Sequence, residues 1–409
     1  MTVHVPKIED MKPMHWTRAN PGVGETPIPV DRYVSDDYFR KEKETIFEKA
    51  WLHAARESQI PKAGDYVVRD IPIANASILI LRRKDGGISA FYNVCPHRGN
   101  QLAWENKGKC KGFIACRFHG WTFNEDGKMV YVSDEQNFPS VNKEDVGLKK
   151  VNVDTWQGFI FVSLADQPKT TLAEFMAPIT ENVDGYPLAD YEHAFQYRVE
   201  ENVNWKTAME AQLEGWHLPY LHPNTLALAV QGAAEKNYRH ASIERLGIHG
   251  LLSSRAPDSF TPSPVGKISM QFGASTMDSF AKKRDGASDG KGPKWRGAFD
   301  FYHLFPNTML GLLEGTYILF NFWPVAPNRT IWEINGFYPP VKDAGQLFSR
   351  EYSKVALREP MAEDSFTHEK VSPGLQSGAL NEIHLQDEEL ALRHLGNTVD
   401  AAVKGDLQL

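Results

Sequence analysis

The sequence predicts an α+β protein with two domains, and three observations support this fold class. The chain has 409 residues, which is enough for two domains with hydrophobic cores of their own. Residues 51–168 consist mostly of short strand-like runs, whereas residues 169–409 mix helical and strand periodicity. Hydrophobic residues make up 42% and charged residues 24% of the chain, which is ordinary usage for globular proteins.

Residues 1–50 predict an extended arm followed by a helix. Residues 1–30 are rich in Pro and Gly, which favour irregular chain. Residues 31–50 have the pattern of a helix with its N-terminal cap near Ser35. We expect this segment to pack on the second domain.

Residues 51–168 predict an all-β domain. Strand-like runs at 66–71, 76–82 and 88–94 follow one another, and Lys84-Asp-Gly-Gly87 is typical of a hairpin turn. The run 156–163 ends the domain. Loops at the strand ends are therefore the expected positions for functional groups.

Two short clusters in this domain each pair one cysteine with one histidine. They are Cys95-Pro-His97-Arg-Gly and Cys116-Arg-Phe-His119-Gly-Trp. Two thiolates and two imidazoles are the ligands of a Rieske [2Fe–2S] centre, in which two His replace two Cys on one iron and raise the reduction potential. A structural Cys2His2 zinc site is the alternative, although such sites usually carry Cys-Cys and His-His pairs.

A second cluster, Glu214-x-x-His217-x4-His222, lies downstream. Two histidines and one carboxylate on one face of an iron form the facial triad of non-haem Fe(II) oxygenases. His217 and His222 are the candidate imidazole pair, and Pro219 between them is expected to break the helix so that both rings reach one metal. Glu214 is expected to share the helix face of His217 and to accept its imidazole N–H.

The carboxylate ligand must come from a distant segment. Residues 359–369 predict a helix that begins after Pro360, and Asp364 is the preferred candidate, with Glu363 next. An ordinary solvated helix face is the alternative for either acid.

The rest of residues 169–409 mixes helices with an antiparallel hairpin. Helical patterns cover 171–183, 204–217, 342–370 and 383–404, and strands at 317–324 and 331–337 flank a turn. Residues 252–297 are rich in Ser, Gly, Pro and Lys and predict a mobile loop over a pocket. Nine side chains are candidates for the pocket lining, and core packing is the alternative for each. They are Met209, Leu213, Leu226, Phe272, Phe299, Phe320, Phe322, His249 and His303.

Charge and hydropathy argue against several classes of protein. The net charge is −7 and no basic stripe stands out, which argues against nucleic acid as a partner. No segment approaches the apolar length of a membrane span, and the N-terminus lacks a signal-peptide pattern. Three cysteines cannot build a disulfide framework. We therefore expect a cytoplasmic protein.

From about Val30 to His394, the chain resembles the α subunit of the Rieske-type non-haem iron oxygenases, also called aromatic-ring-hydroxylating oxygenases. The two Cys/His clusters and the Glu214–His222 cluster carry this resemblance, together with three further motifs: Asn204-Trp205-Lys206, Phe305-Pro306-Asn307 and Glu363-Asp364. The resemblance implies an all-β Rieske domain (51–168) and a helix-grip catalytic domain (169–409) with an antiparallel sheet and a long C-terminal helix.

The resemblance also implies the role of each site residue. The [2Fe–2S] cluster would be held by Cys95, His97, Cys116 and His119. Mononuclear iron would be held by His217, His222 and Asp364. Glu214 would bridge His217 to the cluster ligand His119 of a neighbouring subunit, which implies a homotrimer or an α3β3 assembly.

The implied function is hydroxylation by O2 (mono- or dioxygenation) of a hydrophobic small molecule, with an aromatic compound as the main expectation. NAD(P)H and flavin are expected on a separate reductase, acting directly or through a ferredoxin, because no GxGxxG motif follows a strand. Ring-hydroxylating members of the family often have Asp and Asn where this chain has Glu214 and Ala211. Oxidation of a non-aromatic substrate, by demethylation or by steroid or alkyl hydroxylation, is therefore an alternative. A non-catalytic Rieske electron carrier or binding protein is the alternative from another class.

Overall fold

The computed structural model describes residues 16–223, 225–226, 240–254, 262–273, 299–313 and 315–409. Contacts divide the chain into a first unit, residues 43–176 with 408–409, and a second unit, residues 1–42 with 177–407. The predicted arm is described from Trp16 onward. Most of the predicted mobile loop at 252–297 lies outside the described residues.

The described helices are short except for two near the C-terminus. They are α1 (Trp16–Ala19), α2 (Asp31–Val34), α3 (Asp36–Glu42), α4 (Leu172–Val183), α5 (Trp205–Glu210), α6 (Leu218–Leu221), α7 (Pro264–Phe272), α8 (Ala344–Gln376) and α9 (Leu390–Lys404). No helix in these described parts of the chain is both long and apolar enough to cross a membrane.

The described strands fall into three groups along the chain. One is the N-terminal strand β1 (Ile28–Pro29). The first unit contains β2 (Leu52–Arg56), β3 (Asp65–Ile71), β4 (Ala76–Arg82), β5 (Ile88–Tyr92), β6 (Lys107–Lys109), β7 (Ile114–Ala115), β8 (Thr122–Phe123), β9 (Met129–Tyr131), β10 (Lys150–Trp156) and β11 (Phe159–Ser163). The remaining strands are β12 (Glu192–Glu201), β13 (His240–Leu246), β14 (His249–Ser254), β15 (Phe299–Leu304), β16 (Thr308–Leu313), β17 (Thr316–Ala326), β18 (Arg329–Tyr338) and β19 (Glu382–Ile383).

Two antiparallel sheets build the first unit. One has the strand order β2-β11-β10-β5-β4-β3-β6, and a smaller one has the order β7-β8-β9. The hairpin predicted around Lys84 is present, because β4 pairs with β5 from Ile78 with Tyr92 to Arg82 with Ile88. The core next to the small sheet contains both Cys95 and Cys116 among apolar side chains.

A seven-stranded antiparallel sheet forms the centre of the second unit, in the order β12-β18-β17-β16-β15-β14-β13. The predicted hairpin is confirmed as β17 and β18, which pair from Tyr317 with Phe337 to Ala326 with Arg329. Residues 316–324 of β17 are all buried, which indicates that both faces of this strand are covered. Helix α8 contacts β12, and α9 contacts β13 and β14. The α+β class predicted from the sequence is confirmed.

Helix α8 is 33 residues long and continues through Pro360, so the helix predicted over 342–370 is confirmed and the predicted helix start after this proline is wrong. A proline inside a helix removes one hydrogen bond to the carbonyl four residues earlier. The helix nevertheless continues because a stripe of residues along one helix face is buried both before and after the proline. The stripe at helical spacing consists of Ser349, Ser353, Leu357, Pro360, Asp364, His368, Ser372 and Leu375.

The helix predicted over residues 31–50 is split at Ser35. This residue is extended (ψ 125°), and its Oγ accepts a hydrogen bond from Tyr38 N (3.2 Å), so it caps α3. Helix α3 ends at Glu42, whose carboxylate is fully buried with the ammonium group of Lys206. Helix α5 thus holds the N-terminal segment through a buried ion pair.

Asn204 caps α5 and joins it to two other segments. Its Oδ1 accepts from Lys206 N (3.0 Å), and its Nδ2 donates to Tyr33 O (3.0 Å) and Pro327 O (2.7 Å). The side chain is 4% exposed, so these groups have little access to water. The residue therefore stabilises the start of the segment that leads to His217.

The Asn204→Ala variant is expected to lower the free energy of unfolding by about 2 kcal/mol, because it removes a cap and leaves two buried carbonyls without a donor. Differential scanning calorimetry measures the loss. Asp343→Ala is the matched control, since Asp343 caps α8 through Gln346 N (2.8 Å) at an exposed site. The control should lose about 1 kcal/mol or less. Equal losses in the two variants would contradict the structural role of Asn204.

Candidate metal centres

The two Cys/His clusters lie on loops, and each loop is closed by a similar backbone hydrogen bond. The first follows β5 and closes with a hydrogen bond from Gly99 N to Cys95 O (3.0 Å). The second joins β7 to β8 and closes from Gly120 N to Cys116 O (2.9 Å). Both glycines have positive φ (76° and 73°), a region in which a Cβ is unfavourable. The predicted placement of both clusters on loops at strand ends is thus observed.

The sulfur and imidazole groups of these loops lie close together. Cys95 and Cys116 are buried, and their thiols are within hydrogen-bonding reach of each other. The half-buried rings of His97 and His119 have centroids 4.7 Å apart, and Trp121 stacks on His97 at 4.7 Å. The arrangement provides the two sulfur and two nitrogen donors that a Rieske cluster requires.

The two thiols differ in their electrostatic surroundings. Burial raises the pKa of Cys95 to about 11, although the N–H of His97 acts in the opposite direction. Burial also acts upward on Cys116, but hydrogen bonds from the N–H groups of Phe118 and His119, together with those from Cys95 and Asn100, outweigh it and lower the pKa. Backbone N–H groups that point at a sulfur stabilise the thiolate, which is the form that binds iron.

Asn93 holds the first loop in place and was not identified from the sequence. Its Nδ2 donates to Ala103 O (2.9 Å), and its Oδ1 accepts from Leu102 N (3.1 Å) and Ala103 N (2.8 Å). The residue is 1% exposed. A single Asn after a strand has no distinctive pattern, so only the tertiary contacts reveal this role.

Glu214 does not share a helix face with His217, contrary to the prediction. Helix α5 ends at Glu210, a 3-10 turn covers 211–213, and Glu214 is extended (φ −145°, ψ 164°). Its Oε2 accepts from the N–H groups of Trp216 and His217, and its Oε1 contacts His217 Nδ1. The carboxylate thus takes up N–H groups that a helix continued to His217 would pair with carbonyls.

His217 and His222 flank the short helix α6. His217 precedes the helix and His222 follows it. Pro219 lies in the first turn, where its missing N–H needs no partner, so it begins this helix rather than breaking one as predicted. The two imidazole centroids are 5.2 Å apart.

Asp364 of α8 lies against both histidines. Its Oδ1 is 3.6 Å from His217 Nε2 and 3.0 Å from His222 Nε2, and donor atoms of the three residues lie within 4.8 Å of one another. Asp364 is 2% exposed, and Oδ1 accepts no hydrogen bond of good geometry from any residue that the structure describes. A buried carboxylate oxygen needs a cation or a hydrogen-bond donor, and a metal ion bound by the two facing imidazole nitrogens would supply the cation. Two imidazole nitrogens and one carboxylate oxygen fit a mononuclear iron.

Two outer contacts orient this group. Glu363 Oε2 lies 2.6 Å from His222 Nδ1, and Gln212 Nε2 donates to Asp364 Oδ2 at 2.9 Å. Glu363, the second candidate ligand from the sequence, therefore contacts the opposite ring nitrogen from the one that faces Asp364. Such a contact sets the tautomer so that Nε2 is free to bind a metal. The sequence did not reveal Gln212, which is 152 positions from its partner.

The electrostatic field of the carboxylates at this site favours a cation. Burial by itself lowers the pKa of His222, but the neighbouring carboxylates Asp364 and Glu363 outweigh burial and raise the pKa. Negative charge that stabilises an imidazolium also stabilises a metal ion at the same position.

A cavity of about 110 Å³ adjoins the three residues. Its wall is mostly apolar, with Leu218, Leu226, Leu252, Phe301, Leu313, Ile318, Phe320, Leu357, Pro360 and Met361 among the lining residues. Gln212, Glu214 and Ser254 add polar groups. Neither Lys nor Arg occurs among the lining residues in the described part of the chain.

The predicted pocket residues have mixed outcomes. Leu226 and Phe320 line the cavity, whereas Met209, Leu213 and Phe322 are buried outside its lining. Phe272 is 49% exposed, and the side chain of Phe299 lies outside the described part of the structure.

The two candidate histidines are not part of this cavity's described lining. Burial lowers the pKa of His303 to about 3, and its Nε2 lies 3.3 Å from Pro306 O. His249 Nδ1 accepts from Phe305 N at 3.0 Å. Both therefore act as buried residues of the sheet.

Two family models match the chain. The model of the ring hydroxylating alpha subunit (catalytic domain) matches residues 188–405, more than half of the chain. The chain belongs to this family. The model of the Rieske [2Fe-2S] domain matches residues 50–145, which contain both Cys/His loops. The recognition of a Rieske oxygenase α subunit is confirmed, and its cofactors are a Rieske cluster and a mononuclear iron.

Curated relatives include monooxygenase and dioxygenase subunits. The carnitine monooxygenase oxygenase subunit of Acinetobacter pittii (strain PHEA-2) is 33% identical over 207 residues, which cover 50% of this chain and 54% of the relative. The anthranilate 1,2-dioxygenase large subunit of Acinetobacter baylyi (strain ATCC 33305 / BD413 / ADP1) is 31% identical over 214 residues, which cover 50% of this chain and 44% of the relative. The matched region thus spans about half the length of these relatives.

A solved structure shares the fold over nearly the whole chain. It is a quaternary ammonium Rieske monooxygenase described in connection with carnitine oxidation by gut microbiota and inter-subunit electron transfer. It aligns with a TM-score of 0.73 at 22% identity and covers 96% of this chain and 98% of its own. At this identity the likeness establishes the fold.

Proposed function

We propose that this chain is the oxygenase subunit of a multicomponent monooxygenase that hydroxylates a non-aromatic, mainly apolar small molecule. The observation that carries the proposal is the three-donor group of His217, His222 and Asp364 at the wall of an apolar cavity. The likeness to carnitine and quaternary ammonium monooxygenases supports a non-aromatic substrate over the aromatic one expected first.

The net reaction is R–H + O2 + 2 e⁻ + 2 H⁺ → R–OH + H2O. When the reacting carbon is an N-methyl group, the hydroxymethyl product releases formaldehyde, and the outcome is demethylation. A Rieske cluster supplies single electrons and a facial-triad iron activates O2.

We assign the residues to two sites. The cluster ligands are Cys95, His97, Cys116 and His119, and the iron ligands are His217, His222 and Asp364. The burial of Asp364 and the mostly apolar cavity wall place the reacting end of the substrate among apolar side chains.

Glu214 is proposed as the link between His217 and His119 of a neighbouring subunit in a homotrimer or α3β3 assembly. Its carboxylate contacts His217 Nδ1, and the nearby Trp216 and Tyr220 are 46% and 62% exposed, which suits a partner surface. Electrons are proposed to arrive from a separate reductase, directly or through a ferredoxin.

The charge of the cavity narrows the substrate class. Glu214 and Asp364 are the acidic lining residues, and the described lining contains no basic side chain that could bind a carboxylate. A neutral or cationic substrate is therefore favoured over an anion, because a carboxylate would lose its hydration in this apolar cavity without a basic partner, while the charge of the bound iron offsets the two acidic side chains.

A compound panel with a supplied reductase tests this proposal. Neutral alkyl compounds and tertiary or quaternary methylamines should stimulate O2 uptake, with kcat/KM at least about 10-fold above carboxylates of similar size that carry no amine or ammonium group. With ¹⁸O2, one labelled atom should enter the alcohol formed from each alkyl compound, and formaldehyde, which carries away the inserted oxygen, should form from methylamines. Preferred turnover of such carboxylates, or O2 uptake that no panel member changes, would contradict the proposal.

Dioxygenation of an aromatic ring is the second candidate. Phe301 and Phe320 line the cavity with centroids 6.0 Å apart and a 31° tilt, and such faces can stack on an arene. The anthranilate dioxygenase relative supports the same chemistry. Two labelled oxygen atoms in a dihydrodiol product would identify this activity instead.

A further inference from the structure

We propose that Gln212 is a positioning residue for Asp364: it holds Oδ2 by a hydrogen bond and leaves Oδ1 to bind the iron. The inference rests on the proposed iron site and concerns how the carboxylate is presented to it. Gln212 Nε2 donates to Oδ2 at 2.9 Å, while Oδ1 faces the two histidine Nε2 atoms.

The location of Gln212 restricts the movement of its hydrogen bond with Asp364. The residue lies in the 3-10 turn after α5, between the buried Met209 and Leu213, so its backbone is held by the core. Its partner lies in the buried stripe of α8. The hydrogen bond therefore joins two packed elements rather than two mobile side chains.

The chemical consequence follows from the two oxygen atoms of a carboxylate, each of which can bind a metal. A free Asp carboxylate can turn about its terminal torsion and offer either oxygen, or both, to a metal. The amide N–H engages Oδ2 through a charge-assisted hydrogen bond, so Oδ1 is the oxygen left for the cation. One carboxylate oxygen and two imidazoles leave more open positions for O2 than a two-oxygen carboxylate would.

The test compares Gln212→Met with the unchanged protein as full-length, iron-loaded chains. Methionine has a similar length and volume but no amide donor. We expect iron release to an excess of ferrous chelator to become about 10-fold faster. We also expect an altered electron paramagnetic resonance spectrum after reduction and addition of nitric oxide, a readout that reports the ligand set rather than global stability. The Rieske absorption should not change.

Gln376→Met is the matched control on helix α8, where Gln376 donates to Ser372 Oγ (2.9 Å) at an exposed position outside the cavity lining. It should behave like the unchanged protein. If Gln212→Met does not fold, Gln212→Asn is used instead. Its side chain is one methylene shorter, so the amide no longer reaches Asp364 Oδ2, and iron release should again be faster. Iron release and spectra equal to those of the unchanged protein would overturn the inference.

Failure of this inference is distinct from failure of the proposed site. If Asp364→Ala loses iron but both Gln212 variants retain it normally, Gln212 has no positioning role and the proposed iron ligands stand. If Asp364→Ala retains iron, the proposed site itself is wrong.

Discussion

The Asp364→Ala variant is expected to lose its mononuclear iron and at least about 100-fold in turnover while keeping the absorption of the Rieske cluster. Asp364 supplies the carboxylate oxygen of the three-donor group, and two histidines without it form a much weaker site. Substitution of contacts outside a metal's own ligands already costs about 10- to 100-fold, so removal of a ligand should cost more. Metal analysis of the purified variant and substrate-dependent O2 uptake measure the two losses.

Two further variants on α8 make this result specific. Glu359→Ala removes an exposed carboxylate that pairs with Arg358, and it should retain iron and activity. Glu363→Gln should retain iron with lower affinity, because Glu363 contacts His222 Nδ1 rather than the metal-facing nitrogen. Normal product formation by Asp364→Ala, or complete loss of iron only in Glu363→Gln, would reverse the assignment of the two acids.

The Glu214→Gln variant is expected to keep both metals and to lose about 100-fold in turnover. Glutamine preserves the size of the side chain but not the charge that stabilises the Nδ1–H of His217 and, in the proposed assembly, a ligand of the neighbouring cluster. Single-turnover experiments measure how fast the absorption of the reduced cluster decays after substrate and O2 are added.

The control for this prediction is Glu181→Gln, an exposed acid at the end of α4. It should not change the decay of the reduced cluster. Unchanged single-turnover kinetics in Glu214→Gln would remove this residue from the electron pathway, whereas loss of iron would assign it a purely structural role.

Local motifs were recognisable from the sequence because their ligands are close along the chain. Cys95 with His97 and Cys116 with His119 are short patterns on loops, and the β17–β18 hairpin carries strong strand periodicity on both sides of its turn. The family, the α+β class and the cofactors followed from these signals, and the family match and the sheet topology confirm them.

Contacts between distant segments were predicted less well. The sequence predicts a helix start after Pro360, although burial of the α8 stripe keeps the helix continuous. The helix expected up to His217 ends at Glu210, and the Glu214 carboxylate accepts the N–H groups of Trp216 and His217 instead of the carbonyls of a continued helix. In both places tertiary packing or a side-chain hydrogen bond outweighed local propensity.

The sequence by itself determined which chemical groups are available: two Cys/His pairs, a histidine pair and a nearby acid. Only the tertiary structure decided how they are used, because α8 brings Asp364 within 3.0 Å of His222 and places Glu363 on the other side of that ring. It also decided the apolar cavity and the bond from Gln212. The physical reason is that donor identity is a local property of the chain, whereas distance, burial and orientation depend on the packing of segments far apart in sequence.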